Sequence, residues 1–486
     1  MKLCDLLGPL PEYRVSGETD VEITDVVYDS RKADEGAVFF CIEGLEADGH
    51  DYAPAAVERG ARALVVRHEL ALSRAVTQVV VPDSREAMAL MSAAYFGFPA
   101  RAMTMVGVTG TNGKTSTTHM VKSILEAAGQ KVGLIGTITN MIGEERIHTD
   151  RTTPESVDLH RLLKRMRDEG VDTVVMEVSS HSLKLERVAG ITYDVAAFTN
   201  LSQDHLDFHG DWDDYFASKK MLFGMCSQAV VNCDDEASMR MVEGQTYPVT
   251  GFGIREPAHI MAHGIDITPR GASFMLQIGG QTLPVCLCIP GLFTVYNALA
   301  AAGIAHVLGA TGRSILVGLE RLRNVPGRFE TLNTHGRDVT VILDYAHSPD
   351  GLDNVLSSIR EFAKGRIITL FGCGGDRDRG KRPLMGEIAG RHSDFCVITS
   401  DNPRSEPPLE IIDDIKEGMV RTACDYTVIE NRREAIAFAL GEARGGDVVL
   451  LAGKGHEDYQ EIHGVKYHFD DKEIVEDFYA ALDARD

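Results

Sequence analysis

The sequence has no long hydrophobic run, although 44% of its 486 residues are apolar. A membrane-spanning helix needs about 20 consecutive apolar residues, and the best candidate, around residues 298–310, contains His306. The start of the chain has no apolar segment after Lys2, so we expect no secretory signal. These absences predict a cytoplasmic protein that has no membrane partner.

Positive charge is also scarce, because 49 Lys and Arg face 72 Asp and Glu and leave a net charge of −23. A surface this acidic repels phosphate backbones and anionic lipid, so we expect no nucleic-acid partner. The nine cysteines include no CxxC pair, which is typical of reduced thiols. Cys286 and Cys288 lie two apart in an apolar run, and we interpret them as core residues on one face of a strand.

The length predicts about three domains at roughly 150 residues each. Breaks at Phe96–Pro99 and Asn324–Gly327 place them at residues 1–98, 99–327 and 328–486. Strand-like runs alternate with helical stretches in the second and third. We therefore predict an α/β fold with a central P-loop ATPase-type parallel sheet and a C-terminal Rossmann-like, doubly wound domain. The runs read as strands are Val21–Tyr28, Ala37–Ile42, Ala63–Val66, Gln78–Val81, Met105–Val108, Val132–Ile135, Thr173–Val178, Val195–Phe198, Val339–Leu343, Ile367–Phe371, Phe395–Thr399 and Val448–Leu451.

A glycine-rich segment, residues 107–115, follows one predicted strand and precedes a predicted helix. Its glycines would let backbone N–H groups surround a polyphosphate at the helix N-terminus. Lys114 would neutralise phosphate charge, and the Thr115 hydroxyl would hold Mg²⁺. Val108 replaces the first glycine of the strict pattern, which indicates a variant loop. The segment predicts binding of a nucleoside triphosphate and does not indicate which reaction the triphosphate drives.

Two further predicted strands end in groups that can bind a metal. Glu177 ends one of them, and His205 follows the next strand along the chain. Because parallel strands deliver their carboxyl ends to one sheet edge, both side chains could reach a Mg²⁺ there.

Seven motifs, taken together and in this order, resemble the Mur ligase family over essentially the whole chain. They are GVTGTNGKTS (107–116), MEVSSH (176–181), TNLSQDHLDFHG (199–210), PGLFTVYNALAA (290–301), VPGRFE (325–330), DYAHSPDG (344–351) and FGCGGDRDRGKRP (371–383).

The resemblance implies a monomeric, ATP- and Mg²⁺-dependent amide ligase of peptidoglycan precursor synthesis. The γ-phosphoryl group of ATP would activate the D-Glu carboxylate of UDP-MurNAc-L-Ala-D-Glu as an acyl phosphate. The amine of meso-diaminopimelate would then attack and release phosphate. The protein's part would be positioning and charge neutralisation.

The resemblance also assigns residues. The catalytic residues would be Lys114, Lys219, His205 and His347. Lys219 would be carbamylated, and Lys220 is the less favoured alternative for that modification. Thr115, Glu177, His205 and Lys219 would hold metal. ATP would contact Gly110, Thr111, Asn112, Gly113, Lys114, Thr115, Ser116, Asn297, Arg328 and Asp344. The nucleotide substrate would contact Ser30, within a uridine-diphosphate cradle formed with residues 43–50, and Thr152, Thr153, Ser179 and Arg187. Leu185 and Thr294 depart from the common Gln and Asn of the family.

The Asp401-Asn402-Pro403-Arg404 segment follows a predicted strand and offers a carboxylate, an amide, a fixed turn and a guanidinium. By resemblance it binds meso-diaminopimelate together with Arg377, Gly453 and Glu457.

Lysine lacks the distal carboxylate, so Arg404 disfavours a lysine-adding ligase. The first-domain motif disfavours a folate ligase on the same scaffold. A nucleotide-dependent switch would leave both features without a role.

Overall fold

The structure, a computed structural model, describes residues 1–44 and 47–484. The N-terminal sheet has the order β1-β5-β4-β3-β2 and is parallel except for the β1/β5 pair. Its elements are α1 (Leu3–Leu7), β1 (Arg14–Ser16), β2 (Asp25–Val27), β3 (Ala37–Phe40), α2 (Ala53–Glu58), β4 (Ala63–Val66), β5 (Thr77–Val80) and α3 (Ser84–Tyr95).

The central region contains a sheet of 11 strands in the order β16-β15-β14-β13-β12-β11-β6-β10-β7-β8-β9. The strands from β7 to β14 in that order are parallel, and antiparallel strands extend both edges. Its elements are β6 (Thr104–Thr109), α4 (Lys114–Ala127), β7 (Val132–Ile135), β8 (Asn140–Ile142), β9 (Glu145–Ile147), α5 (Ser156–Asp168), β10 (Thr173–Glu177), α6 (Ser180–Lys184), β11 (Val195–Phe198), α7 (Leu206–His209), α8 (Trp212–Lys220), β12 (Ala229–Asn232), α9 (Ser238–Met241), β13 (Val249–Gly253), β14 (Ile260–Thr268), β15 (Gly271–Ile278), β16 (Gln281–Leu287), α10 (Leu292–Val307) and α11 (Gly312–Arg321).

The C-terminal region has a second parallel sheet, in the order β17-β18-β22-β19-β20-β21, in which only β17 pairs antiparallel. A small hairpin, β23-β24, follows it. The elements are β17 (Glu330–Leu332), β18 (Thr340–Asp344), α12 (Pro349–Phe362), β19 (Ile367–Phe371), α13 (Lys381–His392), β20 (Phe395–Ile398), α14 (Pro408–Met419), β21 (Asp425–Val428), α15 (Arg432–Glu442), β22 (Val448–Ala452), β23 (Tyr459–Ile462), β24 (Val465–His468) and α16 (Asp471–Asp483).

Both larger sheets are covered on their two faces, so their strands are continuous apolar runs. Strands β7, β10, β11, β19 and β22 are buried at every position. Separate apolar clusters lie on the two faces of the central sheet and of the C-terminal sheet. Within the described ranges, no helix has the length and apolar character that a bilayer crossing requires.

The α/β fold is as the sequence predicts, with three corrections. The central sheet is mixed, because β8, β9, β15 and β16 add antiparallel edges. The run Val21–Tyr28 is a strand only over Asp25–Val27, since Val21 and Ile23 pair with the chain's first residues. Cys286 is not a core residue: it lies on an edge strand and is exposed, and Cys288 is half-buried.

Candidate active site

The phosphate loop connects β6 to α4 at the middle of the central sheet. Gly110 and Gly113 both have positive φ, of 148° and 85°. A Cβ at Gly110 would lie 1.9 Å from Thr199 Oγ1, and one at Gly113 would lie 2.3 Å from Asn297 Oδ1. Only glycine therefore fits at either position, and Asn297 of α10 contacts the loop directly.

Two lysines donate hydrogen bonds to the same loop. Lys114 Nζ lies 2.8 Å from the carbonyl oxygens of Gly110 and Thr111, and Lys219 Nζ lies 2.8 Å from the Gly110 oxygen. Burial lowers the pKa of both ammonium groups, and for Lys219 the neighbouring Lys114 charge lowers it further. Helix α8 turns Lys219 inward with 1% exposure, whereas Lys220 points outward, 3.9 Å from Glu243.

Glu177, at the end of β10, accepts hydrogen bonds from several groups beside the phosphate loop. Its Oε2 accepts from the hydroxyls of Thr115 and Thr137, each at 3.0 Å, and its Oε1 accepts from Thr137 N at 2.8 Å. A carboxylate with neighbouring hydroxyls is a donor set that suits Mg²⁺. Thr115 and Glu177 therefore fit the metal site expected from the sequence.

His205 ends the segment between β11 and α7 and has a left-handed φ of 55°. Its Nε2 lies 3.4 Å from Asp204 Oδ2, and its ring meets His181 edge-on at 4.8 Å. Burial lowers the pKa of His205 to about 3, so the imidazole is neutral and has a lone pair available. His205, Glu177, Thr115 and Lys219 all line one cavity of about 560 Å³.

The remaining loop residues contact the segment after β11, helix α8 and the C-terminal region. Thr111 Oγ1 lies 3.0 Å from Tyr215 OH and donates to Ser202 O, and Ser116 lines the same cavity. Asn112 Nδ2 donates to Asp350 Oδ2 at 2.6 Å, and Ser202 Oγ donates to the same oxygen at 2.8 Å. Sequence reasoning missed Asp350, although it lies within the DYAHSPDG motif.

Three residues of the C-terminal side reach the phosphate-loop cavity. Arg328 Nη2 donates to Thr115 Oγ1 at 3.2 Å. Asp344, at the end of β18, accepts from Phe329 N at 2.7 Å, and burial raises its pKa to about 6. His347 Nδ1 lies 2.7 Å from Tyr345 O, and burial lowers the pKa of His347.

A second cavity, of about 640 Å³, lies at the ends of β19, β20 and β22. Arg404 has a left-handed φ of 51°; its Nε pairs with Glu461 at 3.2 Å, and its Nη1 donates to Gly375 O. Pro403 precedes it in the chain and is buried. The residues around this cavity include Arg377, Asp401, Asn402, Arg404, Gly453 and Glu457.

The basic residues of the loop before α13 and of the first turn of α13 form two groups. Arg379 and Arg382 pair with Glu406, and Arg382 is fully buried, so these two arginines hold the loop in place. Arg377 and Lys381 line the cavity instead, and Lys381 Nζ donates to His347 O at 2.9 Å. Sequence reasoning did not separate Lys381 from its neighbours, because the charge pattern alone is uniform.

The residues expected to hold the peptide part of the nucleotide substrate lie beside Glu177. Thr152 Oγ1 lies 3.0 Å from Thr137 Oγ1, and Thr153 Oγ1 donates to Glu177 O at 2.8 Å. Ser179 caps α6 through Ser182 N. Arg187 donates to Thr153 O at 3.2 Å and pairs with Glu155 at 2.9 Å. Thr152 and Ser179 therefore line the phosphate-loop cavity, and Thr153 and Arg187 contact the groups behind it.

Ser30 lies apart from both cavities. It begins a short 3-10 helix after β2, where Asp29 accepts from Arg31 N. Of the expected cradle at residues 43–50, Leu45 and Glu46 lie outside the described residues. In the described part, His50 Nδ1 lies 2.6 Å from Asp48 Oδ1 and Glu43 pairs with Arg67 at 2.7 Å.

The two cavities share a border. Ser202, Asp204, His205, Tyr345, His347 and Asp350 line both. The phosphate loop and Arg404 therefore lie in adjoining cavities. Together, the fold and the site define a phosphate-loop enzyme that joins two ligands.

Comparison with known proteins gives the family. The Mur ligase family catalytic domain matches residues 22–96, the Mur ligase middle domain matches 108–305, and the Mur ligase glutamate ligase domain matches 327–455. A UDP-N-acetylmuramoyl-L-alanyl-D-glutamate--2,6-diaminopimelate ligase of Caldanaerobacter subterraneus subsp. tengcongensis is 49% identical over 481 residues, covering 99% of each chain. The chain therefore belongs to the Mur ligase family.

Solved structures agree with this placement. A structure of a UDP-N-acetylmuramoyl-L-alanyl-D-glutamate--2,6-diaminopimelate ligase superposes with a TM-score of 0.70 at 30% identity, covering 99% of both chains. The Thermotoga maritima MurF ligase, solved in complex with ADP, has a TM-score of 0.65 at 20% identity and covers 95% of this chain and 98% of its own. The second likeness bears on the fold alone.

Proposed function

We propose that the protein is an ATP-dependent ligase that adds meso-2,6-diaminopimelate to the D-Glu carboxylate of UDP-MurNAc-L-Ala-D-Glu, with ADP and phosphate as products. The observation that carries the proposal is the shared border of the two cavities, with the glycine-rich loop and Lys114 on one side and the charges of Arg377, Asp401, Arg404 and Glu457 on the other. The relative that is 49% identical over nearly the whole chain bears the name of this activity.

Activation is assigned to the phosphate loop. The loop N–H groups and Lys114 would hold the triphosphate, and Thr152, Thr153, Ser179 and Arg187 would orient the D-Glu carboxylate toward it. The carboxylate oxygen attacks the γ-phosphorus, the bond to the ADP oxygen breaks, and an acyl phosphate forms. Lys114 and Arg328 are the cations beside the loop that would stabilise the charge that develops there.

Mg²⁺ held by Thr115, Glu177, His205 and a carbamylated Lys219 would neutralise the phosphate oxygens when bound. Carbamylation needs a neutral amine, and burial beside Lys114 lowers the pKa of Lys219 in that direction. Lys220 is half-buried and faces Glu243, away from the loop, which favours Lys219 over its rival. Asn297, Asp344 and His347 are proposed to contact ATP.

The second step joins the amine to the activated acid. Asp401 and Glu457 would bind an ammonium group of diaminopimelate, while Arg404 and Arg377 would bind carboxylates at its ends. The free amine attacks the acyl carbon, the C–O bond to phosphate breaks, and the amine loses a proton. Lysine would leave Arg404 without its carboxylate partner, which supports diaminopimelate as the substrate.

The remaining proposals concern the context of the reaction. Ser30 is proposed to contact the uridine-diphosphate part, and the domain limits are proposed at residues 98 and 327. Because the substrates are a nucleotide-linked precursor and ATP, we propose that the protein acts in the cytoplasm, as a monomer, in peptidoglycan precursor synthesis for cell-wall growth, shape and division.

The test is a competition. The protein is incubated with ATP, Mg²⁺, UDP-MurNAc-L-Ala-D-Glu and equal amounts of meso-diaminopimelate and L-lysine, and the product is weighed by mass spectrometry. We expect the diaminopimelate adduct alone. Equal amounts of both adducts would contradict the assigned amino acid, and formation of neither adduct would contradict the ligase activity.

A further inference from the structure

A buried lysine that the proposed mechanism does not use lies beside the amino-acid cavity. Lys454, between β22 and β23, has no exposed side-chain surface. Its Nζ lies 3.0 Å from Glu457 Oε2 and 3.3 Å from Asn402 Oδ1. The rings of Tyr459 and Phe469 lie 5.5 Å and 6.0 Å from the same nitrogen. The charge of Lys454 is thus directed at two residues of the cavity.

The first contact fixes the amide of Asn402. Its Oδ1 accepts from Lys454 Nζ and from Glu461 N at 2.9 Å, and its Nδ2 donates to Glu457 Oε2 at 2.9 Å. An ammonium group can only donate. Lys454 therefore determines that the amide oxygen points toward it and that the amide nitrogen points toward Glu457.

The second contact concerns the charge of Glu457. Its Oε2 is occupied by Lys454 and Asn402, whereas Oε1 is 3.5 Å from Tyr345 OH. Burial and the charge of Asp401 raise the pKa of Glu457, and Lys454 and Asn402 oppose that rise. The other ionisable groups that act on this carboxyl are Tyr345, Tyr459 and Arg432, and Arg432 is paired with Asp471 at 2.7 Å.

A buried ion pair by itself adds little to stability, because desolvation of the two charges offsets their attraction. The Lys454–Glu457 pair is better explained by its effect on the charge and orientation of the side chains that form the cavity wall. We propose that Lys454 is a positioning residue for amino-acid binding, which keeps Glu457 charged and oriented so that this carboxylate can accept an ammonium group of the incoming diamino acid. The inference rests on the proposed function.

The experiment compares Lys454→Met with Lys466→Met. Lys466 also lies beside Tyr459, with Nζ 4.2 Å from the ring centroid, but it is exposed on β24. We expect Lys454→Met to raise the KM for meso-diaminopimelate by about 10-fold or more, because Glu457 and Asn402 lose a buried charged partner. The KM for ATP should change by less than about 2-fold, and Lys466→Met should match the parent.

The pH dependence separates positioning from a loss of packing. Without Lys454 the pKa of Glu457 rises further, and a protonated carboxyl cannot pair with an ammonium group. The ratio of the diaminopimelate KM of Lys454→Met to that of the parent should therefore grow as the pH falls from about 9 to about 6.5 and shrink as it rises. A merely structural role would give a ratio that does not depend on pH.

An unchanged diaminopimelate KM, a rise that does not depend on pH, or an equal rise in the KM for ATP would each overturn the inference. Failure of the parent to use diaminopimelate would instead overturn the proposed function. Should Lys454→Met not fold, Lys454→Gln takes its place. Calorimetry on the unmodified protein adds an independent readout: diaminopimelate binding near pH 7 should release no proton from Glu457, and release of about one proton would contradict a Glu457 that is already charged.

Discussion

The phosphate-loop cavity and the amino-acid cavity hold their charges in opposite ways. In the first, the ammonium groups of Lys114 and Lys219 are hydrogen-bonded to backbone carbonyl oxygens. In the second, Arg404 pairs with Glu461, and Glu457 pairs with Lys454. The first arrangement leaves the Lys114 ammonium group free of any carboxylate partner among the described residues and so available for a polyphosphate, while the buried Lys219 amine is the one proposed to be carbamylated. In the second arrangement the positive and negative side chains of these pairs offset each other. The cavity therefore favours a ligand by the positions of the ligand's charges and not by its net charge.

The largest expected effect comes from removing the cation of the phosphate loop. Lys114→Ala should lower kcat by about 10³-fold, because Lys114 would stabilise charge that develops in phosphoryl transfer. The measurement is ADP formation with all three substrates at saturation. Lys131→Ala, on the exposed turn after α4, is the control and should retain activity. An active Lys114→Ala protein would mean that the loop does not carry the chemistry.

The lysine doublet of α8 gives the next effect. Lys219→Ala should lose about 10²-fold to 10³-fold in kcat, whereas Lys220→Ala should stay within about 2-fold. The same turnover assay compares the two variants, and mass spectrometry under non-acidic conditions tests for a CO₂ adduct on the parent. Equal losses in both variants would remove the distinction between the buried Lys219 and the half-buried Lys220.

A change in the second cavity should affect one substrate only. Arg404→Ala should raise the KM for meso-diaminopimelate by about 10²-fold, because a carboxylate loses its charged partner. The KM for ATP should change by less than about 2-fold. Steady-state kinetics with each substrate varied in turn measures both, and Arg391→Ala, at an exposed arginine of α13 outside the cavity, serves as the control. A matching rise in the ATP KM would show that the two cavities are not separate in function.

The smallest expected effect concerns the pairing of opposite charges within the amino-acid cavity. Glu461→Gln removes the charge facing Arg404 but leaves the backbone of β23 unchanged. Since the two side chains are 20% and 25% exposed, we expect a change below about 1 kcal/mol in the free energy of unfolding. The diaminopimelate KM should move by less than about 3-fold. Chemical denaturation and kinetics check the two values, and a 10-fold change in KM would give Glu461 a direct part in recognition.

The parts of the fold that follow from local pattern could be predicted. Val132–Ile135, Val195–Phe198 and Ile367–Phe371 have the bounds read from the sequence, because strands buried on both faces are continuous apolar runs. The antiparallel edges were missed. Strand β14, for example, mixes buried, half-buried and exposed residues over Ile260–Thr268, so no apolar run marks it.

The candidate site likewise has parts that the sequence predicts and parts that only the structure shows. The phosphate loop is a single stretch of sequence and Glu177 ends a predicted strand, so the roles proposed for them follow from residue type and position. Asp350 and Lys454 could not be found in this way, because their meaning depends on contacts across the fold. Asp350 meets Asn112 across 238 positions, and Lys454 meets Asn402 across 52. The structural separation of Lys219 from Lys220 likewise follows from the rotation of α8 and not from the doublet itself.

The central claim is that ATP cleavage is coupled to joining two ligands held in adjoining cavities. The most direct test measures steady-state ADP release with UDP-MurNAc-L-Ala-D-Glu present, first with and then without meso-diaminopimelate. The account predicts that sustained ADP release requires the amine, because the acyl phosphate otherwise has no acceptor. ADP release at the full rate without the amine would contradict it.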